Sequence, residues 1–387
     1  MNQKLRIGMF TEVYKPCLNG VVYSLEASKK GLENIGSEVS VYAPQYGGYS
    51  DKEKKIYRCS FIPLRAKYYG IGFPSTFSRE AKQTASGLEV IHVHHPGFGG
   101  ITKYGAGIAK KRNIPLVLTS HTQYMEYSHY VPFYQPFVKE QIRKTVERFG
   151  NKCDCIISPS AKIKEMLSSR YEIKTRIEIV PNSIDTELFK RRNSEQLKKK
   201  LRLKNKPVLI FSGRLEKEKN IDFLIRSFAE IRKAGNYAKL LIVGDGSERD
   251  ALQMLAKQFG LENEIIFTGK IPHNEMPFYY SCADMFITAS KTEVHPLTVL
   301  EAMSVGLVPL GLNAPGVGDI IADNKNGILV GDENEKSFAD AVINVLENPT
   351  RFGVLSRNAK TASEQYSIDR LAGKLYKLYL ELIQEKR

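Results

Sequence analysis

Short apolar runs separated by amphipathic stretches set the rhythm of this chain, and the rhythm occurs twice. In the first half the runs are LRIGMF, SEVSVYAP, LEVIHVHH, PLVLTSHT and CDCIISPS. Brief, nearly continuous apolar runs bounded by turn residues read as strands buried on both faces. After Arg191 the alternation restarts with KPVLIFSGR, AKLLIVGDG, NEIIFTGK, ADMFITAS, LVPLGL and GILVGD, while intervening segments such as FLIRSFAEIRKA carry a helical period. Strand and helix alternating twice over predicts an α/β protein of two doubly wound, parallel-sheet domains. Sheets of this kind bind ligands at the carboxyl ends of their strands, so the cleft between the domains is the expected site.

The charged stretch Lys190–Lys206 is expected to mark the linker region between the halves. The last segment places Leu371, Leu375, Leu378 and Leu382 on one helical face, with Ser367 as an N-cap, and predicts a packing helix. No fixed-period repeat is present, which excludes a solenoid.

A length of 387 residues with 42% hydrophobic residues leaves room for two cores rather than one. The chain contains no long apolar run, and MNQKLRIGMF is a charged lead into a strand rather than a signal peptide, so a cytoplasmic protein is expected. Cys17, Cys59, Cys153, Cys155 and Cys282 are scattered and odd in number, which predicts buried or idle thiols. Charge changes the picture more. Residues 1–180 hold 27 Lys+Arg against 15 Asp+Glu, a net of +12, and the remainder holds 30 against 27, a net of +3. A basic half beside a nearly neutral one points to an anionic partner, nucleic acid or a membrane leaflet. No zinc, RNP or basic-zipper signature accompanies the charge, so no nucleic-acid partner is expected. The aspartates sit singly with no D-x-D pair, so neither a tightly bound metal nor another cofactor is expected.

The residues that carry chemistry gather at predicted strand ends. Glu293 and Glu301 bracket EVHPLTVLE, where Pro296 suits the first turn of a helix and the free N–H groups behind it suit an anion. Arg214 and Lys219, in GRLEKEKN after VLIFSG, form a cationic pair able to neutralise a diphosphate. Gly244 and Gly246 in VGDGSERD let backbone approach a ligand. This is neither G-x-G-x-x-G nor G-x-x-x-x-G-K-[ST], which argues against a dehydrogenase and a phosphate-loop hydrolase. Asn19-Gly20 forms an anion-receptive loop, and His121 follows PLVLTS with Tyr124, Tyr127 and Tyr130 nearby to pack around sugar or lipid. His92, His94 and His95 read as strand-end residues rather than metal ligands. RAKYYGIGFP, with Arg65, Lys67, Tyr68 and Tyr69, has two readings, a segment whose cations and aromatics meet lipid headgroups and acyl chains, or a partly buried loop. In FVKEQIRKTVERF, Val138, Ile142, Val146 and Phe149 share a face, and Lys139, Arg143 and Arg148 are available to a surface.

Taken in order, the NG loop, HT after the fourth strand, PNSID at the junction, GRLEKEKN, VGDGSE and E-x7-E resemble the retaining family 4 glycosyltransferases over nearly the whole chain. The resemblance implies a GT-B architecture, two Rossmann-like domains with a deep interdomain cleft. Residues 1–185 would form an acceptor-binding, membrane-facing domain and 186–365 the nucleotide-sugar-binding domain, with 366–387 a helix that returns to the first. It implies a catalytic set of His121, Glu293, Arg214 and Lys219. Arg214 and Lys219 would hold the diphosphate, Glu301 the ribose and Glu293 the donor sugar. Gly20 would lie under the diphosphate, Gly244 among the donor contacts, the backbone of His295, Pro296 and Leu297 against sugar or phosphate, and His121 on a sugar hydroxyl. Tyr124 and Tyr127, with the RAKYY segment, would serve acceptor and membrane. The chemistry implied is retaining and metal-independent, by front-face displacement.

HTQYMEYSHYVPF and NGVVYSL further resemble the branch that glucosylates diacylglycerol at the inner face of bacterial membranes. The implied reaction moves a hexose, glucose, from a UDP-sugar to diacylglycerol on an anionic membrane surface. The alternative keeps the chemistry with a polyprenyl-linked sugar or soluble acceptor, and with UDP-galactose, UDP-N-acetylglucosamine or GDP-mannose as donor. Nucleotide-sugar epimerases of similar architecture are a different class with the same fold. Two departures stand out. His295-Pro296 replaces the Phe or Gly common in the family, and Asn182-Ser183 replaces Asn-Gly.

Overall fold

A computed structural model describes residues 4–17, 19–64, 66–125 and 134–387, the side chains of 64 and 66–69 excepted. The chain divides into two units, Met1–Ser183 together with Ile368–Arg387, and Ile184–Ser367.

In unit 1 the described strands are β1 (Arg6–Phe10), β2 (Glu38–Pro44), β3 (Ile56–Leu64), β4 (Ala66–Phe73), β5 (Val90–Val93), β6 (Leu116–Thr119), β7 (Cys155–Ser158) and β8 (Ile177–Ile179), in one sheet of order β4-β3-β2-β1-β5-β6-β7-β8. Every pairing is parallel except β3 with β4. The helices are α1 (Gly20–Asn34), α2 (Arg79–Ser86), α3 (Gly100–Arg112), α4 (Gln135–Gly150), α5 (Ala161–Arg170) and the C-terminal helix α13 (Ile368–Glu385). The central strands β5, β6 and β7 are buried along their whole length, as strands covered by helices on both faces must be. Phe10 and Tyr42 stack at 4.3 Å between centroids on the neighbouring strands β1 and β2. On α13, Leu371, Leu375, Leu378 and Leu382 are all buried, and the helix packs on α1. The approach of α13 to α1 is close because position 31 is glycine. A Cβ there would lie 2.7 Å from both Ala372 Cβ and Ile368 Cγ2.

The strand pair β3–β4 departs from the expectation. RAKYYGIGFP is no loop, since Ala66–Phe73 forms the antiparallel edge strand of the sheet. The run IYRCSFIPL hides its strand because Arg58 interrupts the apolar pattern. Its charge is satisfied by a two-pronged pair with Asp51, at 2.7 and 2.8 Å, and its guanidinium lies over the rings of Tyr14, Tyr46 and Tyr49.

In unit 2 the strands β9 (Val208–Ser212), β10 (Lys239–Val243), β11 (Ile265–Gly269), β12 (Met285–Thr288), β13 (Val308–Leu312) and β14 (Ile328–Val330) form an all-parallel sheet of order β11-β10-β9-β12-β13-β14. Its helices are α6 (Glu195–Lys200), α7 (Ile221–Lys233), α8 (Arg249–Gln258), α9 (Met276–Ser281), α10 (Leu297–Val305), α11 (Glu335–Leu346) and α12 (Pro349–Ser363). Strand order reverses between β9 and β12, which makes their carboxyl ends a topological switch point. The core is continuous from Leu209 and Phe211 through Phe223, Leu224 and Phe228 to Phe338 and Val342, each such side chain contributing about 1.5–3 kcal/mol of burial. The charged stretch Lys190–Lys206 lies inside this unit and carries α6. It is fastened by Ser194 Oγ donating to Ser281 O at 3.0 Å.

The five cysteines are all buried and free. Among the described residues, no helix is long and apolar enough to cross a membrane.

Candidate active site

The carboxyl ends of β9, β10 and β12 bring the charged candidates of unit 2 together. Gly213, Arg214 and the turn Lys217–Lys219 follow β9, and Glu293 sits in the loop between β12 and α10. Lys219 Nζ lies 2.5 Å from Glu293 Oε1, and Arg214 Nη2 donates to Glu218 Oε1 at 2.7 Å. Ser290, buried at the end of β12, donates through Oγ to Glu218 O at 3.2 Å. Burial alone would raise the Glu293 carboxyl. The charge and hydrogen bond of Lys219 and the charge of Arg214 outweigh it and hold the group below the usual carboxylate range. Each cation thus waits beside a carboxylate, and an arriving anion would compete for it. An ammonium has three donors, of which Glu293 takes one.

Gly244, at φ +141° after β10, belongs to the same rim. A Cβ there would lie 1.8 Å from Gly213 O, so the turns after β9 and β10 stack backbone on backbone and only glycine fits. Pro296 is the extended N-cap of α10 and Leu297 its first residue, so Pro296 stands one position before the first turn expected for it. His295 is buried with its ring 5.3 Å from that of Tyr366, and burial pushes its pKa down to about 3, leaving it neutral.

Glu301 is held differently from Glu293. It lies on α10, only 4% exposed. Oε1 accepts from His273 Nε2 at 2.7 Å and Oε2 from the Tyr280 hydroxyl at 3.0 Å. Since Tyr280 spends its one proton on Glu301, Ser212 Oγ, 2.7 Å from that hydroxyl, is the donor to it. The phenol is pushed well up by burial and by the charge of Glu301. Two donors therefore fix the carboxylate in place while about two of its four lone-pair sites stay open for hydroxyl groups.

In unit 1 the histidines at the strand ends are neutral. His121 follows β6, and its Nε2 lies 2.9 Å from Nδ1 of His94, which follows β5. One step back along both strands, His92 Nε2 lies 2.6 Å from Thr119 Oγ1, and His92 Nδ1 lies 2.7 Å from the Tyr379 hydroxyl of α13. The rings of His92 and His94 stack at 4.5 Å and those of His94 and His121 at 5.2 Å. Burial lowers His92 and His121 to about 3 and holds His94 well below the usual imidazole value. At the start of α1, Asn19 Oδ1 accepts from Val22 N at 3.0 Å, and a side chain on Gly20 would meet only open space.

Two family models cover the chain, Glycosyltransferase Family 4 over residues 18–188 and Glycosyl transferases group 1 over residues 193–363. The alpha-monoglucosyldiacylglycerol synthase of Acholeplasma laidlawii is 32% identical over 98% of this chain and 98% of its own length. The chain belongs to the family 4 glycosyltransferases. The synthase of the same name from Streptococcus pneumoniae is 29% identical to this glycosyltransferase over 98% of the chain and 86% of its own length. Among solved structures, the sucrose-phosphate synthase of Thermosynechococcus elongatus superposes with a TM-score of 0.77 at 17% identity, covering 99% of this chain and 100% of that one. Anabaena Alr3699/HepE in complex with UDP-glucose does so with a TM-score of 0.75 at 18% identity, covering 97% and 100%. Both likenesses speak to the fold, which is GT-B.

The structure of this glycosyltransferase brings Arg214, Lys219 and Glu293 together and sets Glu301, Gly244, Pro296 and Leu297 at the strand ends of the same unit. His121 belongs to unit 1. Tyr124 is half-buried with its ring 5.4 Å from Phe98. Arg65, Tyr127 and Tyr130 lie outside the described residues, as do the side chains of Lys67, Tyr68 and Tyr69. On α4, Val138, Val146 and Phe149 are buried and Ile142 half-buried, while Arg143 is paired with Glu140, Glu147 and Glu172 rather than offered to a surface. Sequence reasoning missed His273, Tyr280 and Ser212, which carry no motif and meet Glu301 only through the fold. It also missed the imidazole ladder, although H-x-H on one strand beside T-x-H on the next is a readable sign of it. Among the described residues, no group of three or more His, Cys, Asp or Glu is arranged to hold a metal ion.

Proposed function

We propose that this glycosyltransferase moves glucose from UDP-glucose to diacylglycerol at an anionic membrane surface, forming an α-linked glycolipid with retention of configuration. The observation that carries this reading is the end-to-end match to synthases whose names specify a monoglucosyl diacylglycerol product. The cluster in unit 2 supports the donor half. Arg214 and Lys219 would take the diphosphate oxygens, Glu301 the ribose hydroxyls, and Glu293 a hydroxyl of the sugar while keeping Lys219 oriented. The backbone at Gly244 and at the start of α10 would complete the donor's contacts.

In the reaction the acceptor oxygen forms a bond to the anomeric carbon as that carbon's bond to the β-phosphate oxygen breaks. The acceptor proton passes to the departing diphosphate. Charge builds on that diphosphate, and Arg214, Lys219 and the N-terminus of α10 are fixed positive groups that meet it. These cations would do what a resident metal does in other diphosphate-releasing sites.

The acceptor half is supported by the surface of unit 1. Ile62 and Ile71 face each other across β3 and β4 and are 55% and 45% exposed. Phe98, Tyr134 and Phe137 are exposed as well, in a unit whose first 180 residues carry a net charge of +12. Exposed apolar side chains in a basic setting suit a leaflet of anionic lipid, and the attraction weakens with salt.

The test is a donor panel of UDP-glucose, UDP-galactose, UDP-N-acetylglucosamine and GDP-mannose against diacylglycerol in anionic micelles, scored by product mass, with vesicle co-sedimentation at low and high salt. Glucosyl diacylglycerol from UDP-glucose and salt-sensitive binding are expected. Transfer only to a soluble acceptor, together with no binding at low salt, would overturn the lipid reading.

A further inference from the structure

Three histidines of unit 1, His92, His94 and His121, form a ladder with a built-in direction. Successive rungs join residues of the same sequence offset, His92 to Thr119 and His94 to His121, because both strands alternate faces with period two and run parallel. The foot of the ladder rests on Tyr379, buried in α13. A cavity of about 20 Å³ beside it is lined by Ser24, Asn182, Thr119 and all three histidines, and a volume of that size admits a single water. Among the described residues, Nε2 of His94 is buried without a hydrogen-bond partner.

A single proton lies in the His94–His121 contact, and its place decides which nitrogen of His121 is protonated. If His121 Nε2 held it, the neutral His94 would carry its own proton on Nε2, a buried donor with no acceptor among the described residues. If His94 Nδ1 holds it, Nε2 of His94 is a bare lone pair, the cheaper group to leave unmet and one that a cavity water can satisfy. His121 then carries its proton on Nδ1. The double-protonated form is disfavoured by burial and by the neighbouring imidazoles.

We infer that His94 is a positioning residue that holds His121 in the tautomer protonated at Nδ1, so that His121 offers a hydrogen-bond donor, not an acceptor, to an oxygen of the substrate. This rests on the reading of His121 as a substrate contact. The stacked His92, pinned between Thr119 and Tyr379, keeps the His94 ring in the plane this requires.

Long-range proton–nitrogen correlation spectra of the full chain labelled with ¹⁵N-histidine test the tautomer directly, with His121 assigned through His121→Asn. A proton on Nδ1 and a bare Nε2 are expected, and the opposite pattern would overturn the inference. His94→Asn, whose amide nitrogen can stand where Nδ1 stands, should keep the pattern and hold kcat within about threefold. His94→Leu should scramble the pattern and lower kcat by at least about tenfold with UDP affinity unchanged, a wrong-tautomer effect. Full turnover in His94→Leu would sink the positioning role. The spectra need neither donor nor acceptor, so a failed transfer assay counts against the proposed reaction and leaves the tautomer decided on its own. If His94→Leu does not fold, the wild-type spectrum and His94→Asn still decide.

Discussion

Units 1 and 2 share one design, a parallel sheet with polar residues at its strand ends, and they equip those ends in opposite ways. Unit 2 gathers full charges and stores them in pairs, Lys219 with Glu293 and Arg214 with Glu218. Unit 1 gathers neutral rings and joins them through shared protons, His94 to His121 and His92 to Thr119. Ion pairs are exchangeable, because a phosphate can take over a cation that a carboxylate was holding. A ladder of neutral imidazoles gives no charge to exchange, but it fixes orientation. The difference teaches a division of labour in which one unit answers charge and the other sets direction.

The sharpest way to break this division is Lys219→Ala. If Lys219 meets the developing diphosphate as proposed, the substitution should lower kcat by about 10²–10³-fold, as losses of comparable charge-stabilising donors do. A product-mass time course reads it. A loss no larger than that of His94→Leu would mean that charge handling is not concentrated in unit 2.

Within unit 2 the two glutamates should separate. On the proposed ribose role of Glu301, Glu301→Gln is expected to raise the Kd for UDP by roughly tenfold, while Tyr280→Phe, which removes one of the two donors fixing that carboxylate, should raise it about threefold. Glu293→Ala should leave the Kd nearly unchanged and abolish turnover. Titration calorimetry beside the transfer assay checks all three, and equal effects on Kd from Glu293→Ala and Glu301→Gln would erase the distinction between their roles.

A separate test of the contrast is acid stability. Histidines lowered in the folded state from 6.5, namely His92, His94, His95 and His121 in unit 1 and His295 in unit 2, favour folding fully above pH 6.5 and lose that contribution as pH falls toward their folded values, near 3 to 4 where these are resolved. Glu293, lowered from 4.5, contributes above that value and loses its share below it. Between pH 6.5 and 4.5, then, unit 1 should lose hydrogen-exchange protection first, at most about tenfold per pH unit for each histidine taking up a proton. Equal loss in β5–β6 and in β9–β12 would contradict the contrast.

How much of this the sequence discloses depends on whether a feature is local. The buried strands, the Pro296 start of α10 and the apolar face of α13 are legible because each is a short pattern with one physical meaning. Arg214, Lys219 and Glu293 are legible as a set only through the order of motifs, and their mutual contacts come from the strand order at the switch point. β3 and β4 are obscured because Arg58 breaks the run and finds Asp51 only after folding. His273 and Tyr280 are silent for the same reason, since nothing near them in the chain announces Glu301.

The helix α13 has a further consequence. Its residues come after all of unit 2 in the chain, yet it packs on α1, and its Tyr379 supports His92. A chain emerging from the ribosome therefore has every residue of unit 2 in hand before the last piece of unit 1 exists. The usual order, in which the N-terminal part of a nascent protein is finished first, is reversed here. The stretch of α1 around Gly31 meets its permanent neighbour only after all of unit 2 has been made, so that surface stays uncovered while the whole second sheet is being synthesised.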